Sequence, residues 1–295
     1  MIEFFQNEYV LHLVILIGIY LLLAQSFNLT FGVGGLFNLA HVATYSLGAY
    51  TTALLSTESN AGFLTCIFAS VLLSGLFALL IGAISLRLTQ DYFAIGTIAF
   101  SAIVSSLLIN AKSVTHGVLG ISGIPRPMIG GVELYENALF LQLLWVFVLV
   151  VLLLYWVLTR SSFARTLRAQ AESEHSALAL GKNTRLARNF SFFISSATSG
   201  LGGAFFAYYL NYIDPSSFMF AEMVFILTLV VVGKPGSFWG VVASTIFLIL
   251  LPESLRFVEI DSSILGPARQ MMYATVLFLV VLWNRNTLFP VQRRV

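Results

Sequence analysis

The chain carries runs of apolar residues too long and too free of charge to sit anywhere but in lipid. From Asn137 to Thr159 it reads "NALFLQLLWVFVLVVLLLYWVLT", with no Asp, Glu, Lys or Arg. Crossing a bilayer takes roughly 20 mostly apolar residues as a helix, and a backbone in hydrocarbon has to satisfy its own hydrogen bonds. Windows 8–30, 62–86, 91–110, 190–211 and 268–284 qualify in the same way. Two further apolar stretches, 36–56 and 222–251, are laced with Gly, Pro or polar residues. The whole chain is 9% charged, against roughly 25% for a soluble domain, so an aqueous surface cannot be built from it. The expected fold is all-α and polytopic, an integral membrane protein with about nine transmembrane helices (eight to ten), some broken by glycine. One transmembrane domain over 1–295 accounts for the length, and no loop is long enough to be a soluble domain.

The few charges indicate how the chain is threaded. Residues 160–189, "RSSFARTLRAQAESEHSALALGKNTRLARN", hold Arg160, Arg165, Arg168, Lys182, Arg185 and Arg188 around Glu172 and Glu174. Cytoplasmic loops collect Lys and Arg. With this segment inside and the spans alternating, Arg87, Lys234, Arg285, Arg293 and Arg294 also fall inside, and Lys112, Arg126, Arg256 and Arg269 fall outside. The loop 159–189 and the C-terminus are therefore expected in the cytoplasm. With nine spans the N-terminus is expected on the outer, periplasmic side. "MIEFFQNEYV" has no basic residue, unlike a cleavable signal, so 8–30 reads as a retained span. Cys66 lies alone in an apolar window and reads as a packing residue. The net charge of +2 gives no indication of nucleic acid as a partner.

Two regions depart from regular helix. In 25–56, Gly32, Gly34 and Gly35 cluster among Gln25, Asn28, Asn38, His41, Thr44 and Tyr45. Glycine frees backbone groups that lipid cannot satisfy, so such a break belongs against protein or a water-lined cavity. Broken helices of this kind build solute sites in many transporters; a tight capped turn between two helices is the other reading. Asn28, Asn38, His41 and Tyr45 are the candidates for a translocation route. His41 has no nearby acid for a relay and no second His for a metal, which also suits a neutral, hydrogen-bonded packing histidine. The second break is "GKPG" at 233–236, where Pro235 removes a donor and the glycines loosen the backbone. One break in each half suggests a duplicated architecture.

Other stretches have plainer readings. Asp91 is placed to cap the helix that follows it. The outer loop 111–136 is either a docking surface or a lid. Two small-residue ridges, Ser196/Gly200/Ala204 and Ser199/Gly203/Ala207, let helices approach closely, within the chain or across a subunit interface. In "YIDPSSF" (212–218), Asp214 before Pro215 suits an outer turn or a helix start.

No GxxxxGK[ST] phosphate loop is present, and no HExxH, CxxC or GxSxG. The acids gather near loops, so no catalytic carboxylate pair is expected within the membrane. No catalytic or metal site is expected. A permease or channel remains.

The residues also resemble a known family. "FARTLRAQAESEHSALALGKNTRLARNFSFFISSATSGLGGAFFAYYL" is similar to the cytoplasmic coupling loop and following span of LivM-type permeases of branched-chain amino acid ABC transporters. "GVGGLFNLAHVATYSLGAYTTALL" resembles a second block of that family, with His41 at its shared histidine. "DYFAIGTIAF", "GVLGISGIPRP" and "GKPGSFWGVV" resemble three more, in the right order from about residue 25 to 284. Departures fall at Ser176, at Thr115-His116-Gly117 and at Lys234-Pro235. The resemblance implies a binding-protein-dependent importer in the bacterial inner membrane. This chain would pair with a LivH-like permease and with two ATPase subunits holding ATP and Mg, and a periplasmic binding protein would deliver the solute. It would bind no cofactor itself and would touch only protein and membrane lipid. Branched-chain amino acids are the implied solute; urea, short amides or another small polar solute are the alternatives. An ATPase-independent channel or secondary carrier is the competing class, and its coupling would need intramembrane acids, which the sequence reading does not find. Within 172–181, a coupling helix to an ATPase is expected from Glu172, Glu174, Ala177, Leu178, Leu180 and Gly181. Ala177, Leu178 and Leu180 would form its knob, and Gly181 its left-handed end.

Overall fold

The computed structural model describes residues 8–85, 90–129, 132–252 and 262–283. The first helix, α1 (Glu8–Phe27), widens into a π-helical turn at Asn28–Val33, and together they form a span of 26 residues. The glycines end it. Gly35 turns left-handed at φ +66°. The amides of Gly34, Gly35 and Leu36 donate back to the carbonyls of Leu29, Phe31 and Thr30, so little polar backbone is left facing lipid. The chain then climbs back through α2 (His41–Glu58) and crosses in α3 (Phe63–Ser85) and α4 (Gln90–Asn110), with Asp91 in the first turn of α4. It continues in α5 (Asn137–Arg160), two short helices α6 (Ser162–Glu172) and α7 (Glu174–Ala179), and the long α8 (Thr184–Leu210).

Five helices among the described residues are long and apolar enough to span: the α1 unit, α3, α4, α5 and α8. The stretch 222–251 is not one span. It folds as α9 (Phe220–Val232) and α10 (Phe238–Leu250), of 13 residues each, turned back on one another at "GKPG". At 1.5 Å per residue each is about 20 Å long, too short to cross alone. Ser244 Oγ on α10 donates to the Leu229 carbonyl on α9 at 2.5 Å and pins the hairpin. The last helix, α11 (Ser262–Trp283), packs on α9 through Phe225 and Tyr273, 4.5 Å between ring centres.

The loops sort onto two ends. At one end Asn137 Nδ2 donates to Glu8 at 2.5 Å, and Arg126 donates to Asn137 at 3.2 Å while stacking over Phe140 and Tyr209. Strand β1 (Ile121–Ser122) of loop 111–136 pairs antiparallel with β4 (Tyr212–Ile213), and a small hairpin of β2 (Met128–Ile129) and β3 (Val132–Glu133) lies between them in sequence. Asp214 accepts from the Ser217 amide at 3.2 Å and caps the 3-10 turn Pro215–Phe218. Burial opposes its charge, but hydrogen bonds from Ser216 and Ser217 outweigh this and hold its carboxyl below the usual range. At the other end Gly35 abuts Ala171 of α6, and the "GKPG" turn reaches the π-helical turn. Lys234 thus joins residues 160–189, and Glu8 joins loop 111–136, as the threading required. Arg87, Arg256, Arg285, Arg293 and Arg294 lie outside the described residues.

The centre belongs to α8. An added Cβ on Gly48 of α2 would come 2.1 Å from the Gly200 carbonyl, and one on Gly203 would come 2.1 Å from the Tyr45 carbonyl. The small-residue ridges therefore serve packing inside the chain. Cys66 is buried and free, its thiol on the Ala61 carbonyl at 3.5 Å.

Candidate functional site

The basic segment folds into a short helix, α7, that leans on α6 and α8 at the edge of the bundle. Ser173 caps α7 by accepting from the Ser176 amide at 3.3 Å, and the two hydroxyls lie 2.9 Å apart. The serine that departs from the family pattern thus strengthens the helix start. Gly181, at φ +71°, ends the segment: its amide donates to Leu178 at 2.9 Å, and that of Lys182 to Ala177 at 3.1 Å. Glu174 pairs with Arg188, tying α7 to α8. Two expectations are corrected. The helix covers 174–179, because Glu172 closes α6 and Ser173 is a cap. Ala177 is buried against the bundle and cannot belong to an outward knob, whereas Leu178 and Leu180 are 51% and 75% exposed.

The four residues flagged for a route all lie in the core. Asn28 accepts from the Gly236 amide at 2.8 Å, joining the two glycine breaks across 208 positions. An added Cβ on Gly32 would come 2.2 Å from the Gly236 nitrogen, so the two turns meet backbone to backbone. Asn38 Oδ1 accepts from the Ala40 amide at 3.0 Å. His41 Nε2 lies 3.1 Å from Ser26 Oγ, and its carbonyl accepts from Ser199 at 3.1 Å. Tyr45 packs against Phe206 and Phe218. Each of the four also keeps one buried polar atom with no hydrogen-bond partner among the described residues: Asn28 Nδ2, Asn38 Nδ2, His41 Nδ1 and the Tyr45 hydroxyl. Buried polar atoms are nearly always paired, and the same unmet capacity occurs at Tyr50, Trp145 and Ser196, so it does not by itself single out these four.

Sequence reading missed Glu222. In sequence it stands at the edge of the apolar stretch 222–251, among acids that gather near loops. In the fold, 211–219 runs inward without α-helix and α9 starts part-way down, carrying Glu222 to Tyr20, whose hydroxyl donates to it at 2.7 Å. Tyr20 follows Glu8 by twelve positions on α1, about 18 Å of helix and so near mid-depth. Tyr45 lies within electrostatic reach of the same carboxyl. A cavity of about 700 Å³ opens beside it, between α1, α9, α10 and α11. The signal available in sequence was the shortness of the helix after Pro215.

A bundle of long apolar helices with two glycine breaks clasped together defines a polytopic membrane protein. The chain belongs to the family described as branched-chain amino acid transport system / permease component, whose model matches residues 9–282. As a member it is a non-catalytic membrane component of a transporter. It is 33% identical over 300 residues to the high-affinity branched-chain amino acid transport system permease protein LivM of Escherichia coli (strain K12), covering 93% of this chain and 68% of that one. The same identity and coverage hold for the LivM protein of Salmonella typhimurium (strain LT2). A probable branched-chain amino acid transport permease LivM of Methanocaldococcus jannaschii is 25% identical over 274 residues, 89% of this chain and 78% of that one. No solved structure matches.

Proposed function

We propose that this chain is the transmembrane permease subunit of an ATP-driven, binding-protein-dependent importer of branched-chain amino acids in a bacterial inner membrane. The reading rests on kinship along nearly its whole length with permeases named for that transport. The observation that supports the ATP-driven part is α7, a capped helix at the basic end of the bundle presenting Leu178 and Leu180. Two exposed leucines, one on the helix and one just past its end, suit a groove on an ATPase, with the surrounding arginines toward lipid headgroups. That end is the cytoplasmic one in this reading, and the N-terminus is periplasmic. A LivH-like permease completes the membrane part, and a periplasmic binding protein meets the face built by 111–136. ATP and Mg stay on the ATPase subunits. Closure of the ATPase pair moves α7, and through its Glu174–Arg188 tie moves α8, between states open to either side. Asn28, Asn38, His41 and Tyr45 lie along the route in this reading, their unpaired polar atoms available to water or solute.

Leu178→Asp tests the coupling. Placing a charge in an apolar groove is expected to abolish co-purification of the ATPase and leucine uptake by the reconstituted complex, with the permease still folded. Retention of both would remove α7 from the coupling role.

A further inference from the structure

We infer that the cavity beside Glu222 is a binding site for the ammonium group of the transported amino acid; this rests on the importer reading above. A carboxyl at mid-depth is costly to keep, and one hydrogen bond from Tyr20 offsets only part of its desolvation. The carboxyl's hydrogen-bond partner is Tyr20, and the ion pair formed among the described side chains, Glu174–Arg188, lies at the basic end, away from it. It is half-buried, and it lines the cavity of about 700 Å³ walled by α1, α9, α10 and α11. That space is within the range of small-solute pockets.

The walls match the rest of a branched-chain amino acid. Leu13 and Ile249 supply apolar surface on two sides. Phe225 meets Tyr20 edge-on at 5.0 Å and Tyr273 at 4.5 Å, and these rings flank the carboxyl. Aromatic faces add attraction for a desolvated ammonium. A carboxyl that ionises in such a cleft concentrates cations from the aqueous side. The chemistry required of the occupant is a primary ammonium on a compact apolar body. Tyr45, one helical turn from His41, lies within electrostatic reach of Glu222 but outside the cavity's lining.

The test uses the full complex in lipid nanodiscs with Cys66→Ala and a reporter Ala274→Cys on the cavity wall. Labelling by a cationic methanethiosulfonate (trimethylammonium) is compared with labelling by the anionic sulfonate. With each rate divided by that reagent's rate on a free thiol in solution, the cation is expected to react at least about tenfold faster. Glu222→Gln is expected to bring the two rates together, and Glu222→Asp, which keeps the charge, to preserve the preference if the amide variant folds poorly. Leucine is expected to slow the cationic label, and Glu222→Gln to cut leucine uptake at least about tenfold. Equal labelling rates in the parent protein, or wild-type leucine uptake by Glu222→Gln, overturn the site. A parent complex that shows the charge preference and protection by 3-methylbutylamine, yet moves no leucine, supports the ammonium site and removes the leucine-importer reading instead.

Discussion

Helices α5 and α8 both cross the bundle, and they are built on opposite rules. Helix α5 is almost wholly apolar, yet only 28% of its membrane window is buried. Val146, Leu149, Val150 and Leu153 face outward, and the stripe Phe140, Leu144, Val148, Val151 and Tyr155 faces in. Helix α8 is the richer in Ser, Thr and Gly, and 78% of its window is buried. In water the more apolar helix would be the central one. In lipid, apolar side chains gain nothing by leaving the solvent, so the centre goes to residues that allow close approach and can hydrogen-bond across helices. Ser195 on α8 reaches the Ser26 carbonyl at 2.7 Å, and Ser74 on α3 reaches the Thr44 carbonyl at 2.9 Å.

The sharpest way to break this contrast is to give the centre a side chain. Gly48→Leu puts atoms where the Gly200 carbonyl already stands, 2.1 Å from the added Cβ, with backbone on both sides and no flexible neighbour to yield. Overpacking usually costs about 1–3 kcal/mol, and this site, hemmed by backbone, is expected to exceed that range. The measurement is the yield of monodisperse, protease-resistant protein in detergent. Wild-type recovery would mean that α2 and α8 do not cross at this point.

Much of this was legible in the sequence because lipid imposes long local patterns. The spans α3, α4, α5 and α8 follow from windows of composition, and both glycine breaks from residues that cannot continue a helix in hydrocarbon. The left-handed Gly181 was readable because helix ends are local. What could not be read depends on contacts between distant segments. That Asn28 holds the Gly236 amide requires the two breaks to meet in space. The inward descent of 211–219 is fixed by its packing, with Phe218 seated among Tyr45, Tyr50 and Phe206. Composition there resembles an outer turn, and Glu222 was misplaced for that reason. The burial of Ala177 likewise follows from how α7 leans on the bundle, which no spacing rule encodes.

A smaller effect is expected where the two kinds of helix meet. The Tyr155 hydroxyl, on the buried stripe of α5, donates to Thr198 Oγ1 of α8 at 3.0 Å. Hydrogen bonds between helices in membranes average about 0.6 kcal/mol and reach about 1.7. Tyr155→Phe and Thr198→Val are each expected to lower the unfolding midpoint in mild denaturing detergent, and the double variant to lose less than their sum. Strict additivity would show that the pair contributes no coupling.

The least effect is expected on the lipid face. Leu153 is 61% exposed while Leu144, on the same helix, is fully buried beneath Gly18. In a soluble protein an exposed leucine on so apolar a helix would signal a missing partner. Here lipid fills the space that Leu153→Ala leaves, so the change is expected to stay within about 0.5 kcal/mol. Leu144→Ala opens a cavity that neither lipid nor neighbouring backbone can fill, and is expected to cost about 2–5 kcal/mol. Unfolding curves of the two variants in the same detergent give the comparison directly. If Leu153→Ala proves as damaging as Leu144→Ala, then that face of α5 is covered by protein in the assembled transporter, and the partner permease is the surface to look for there.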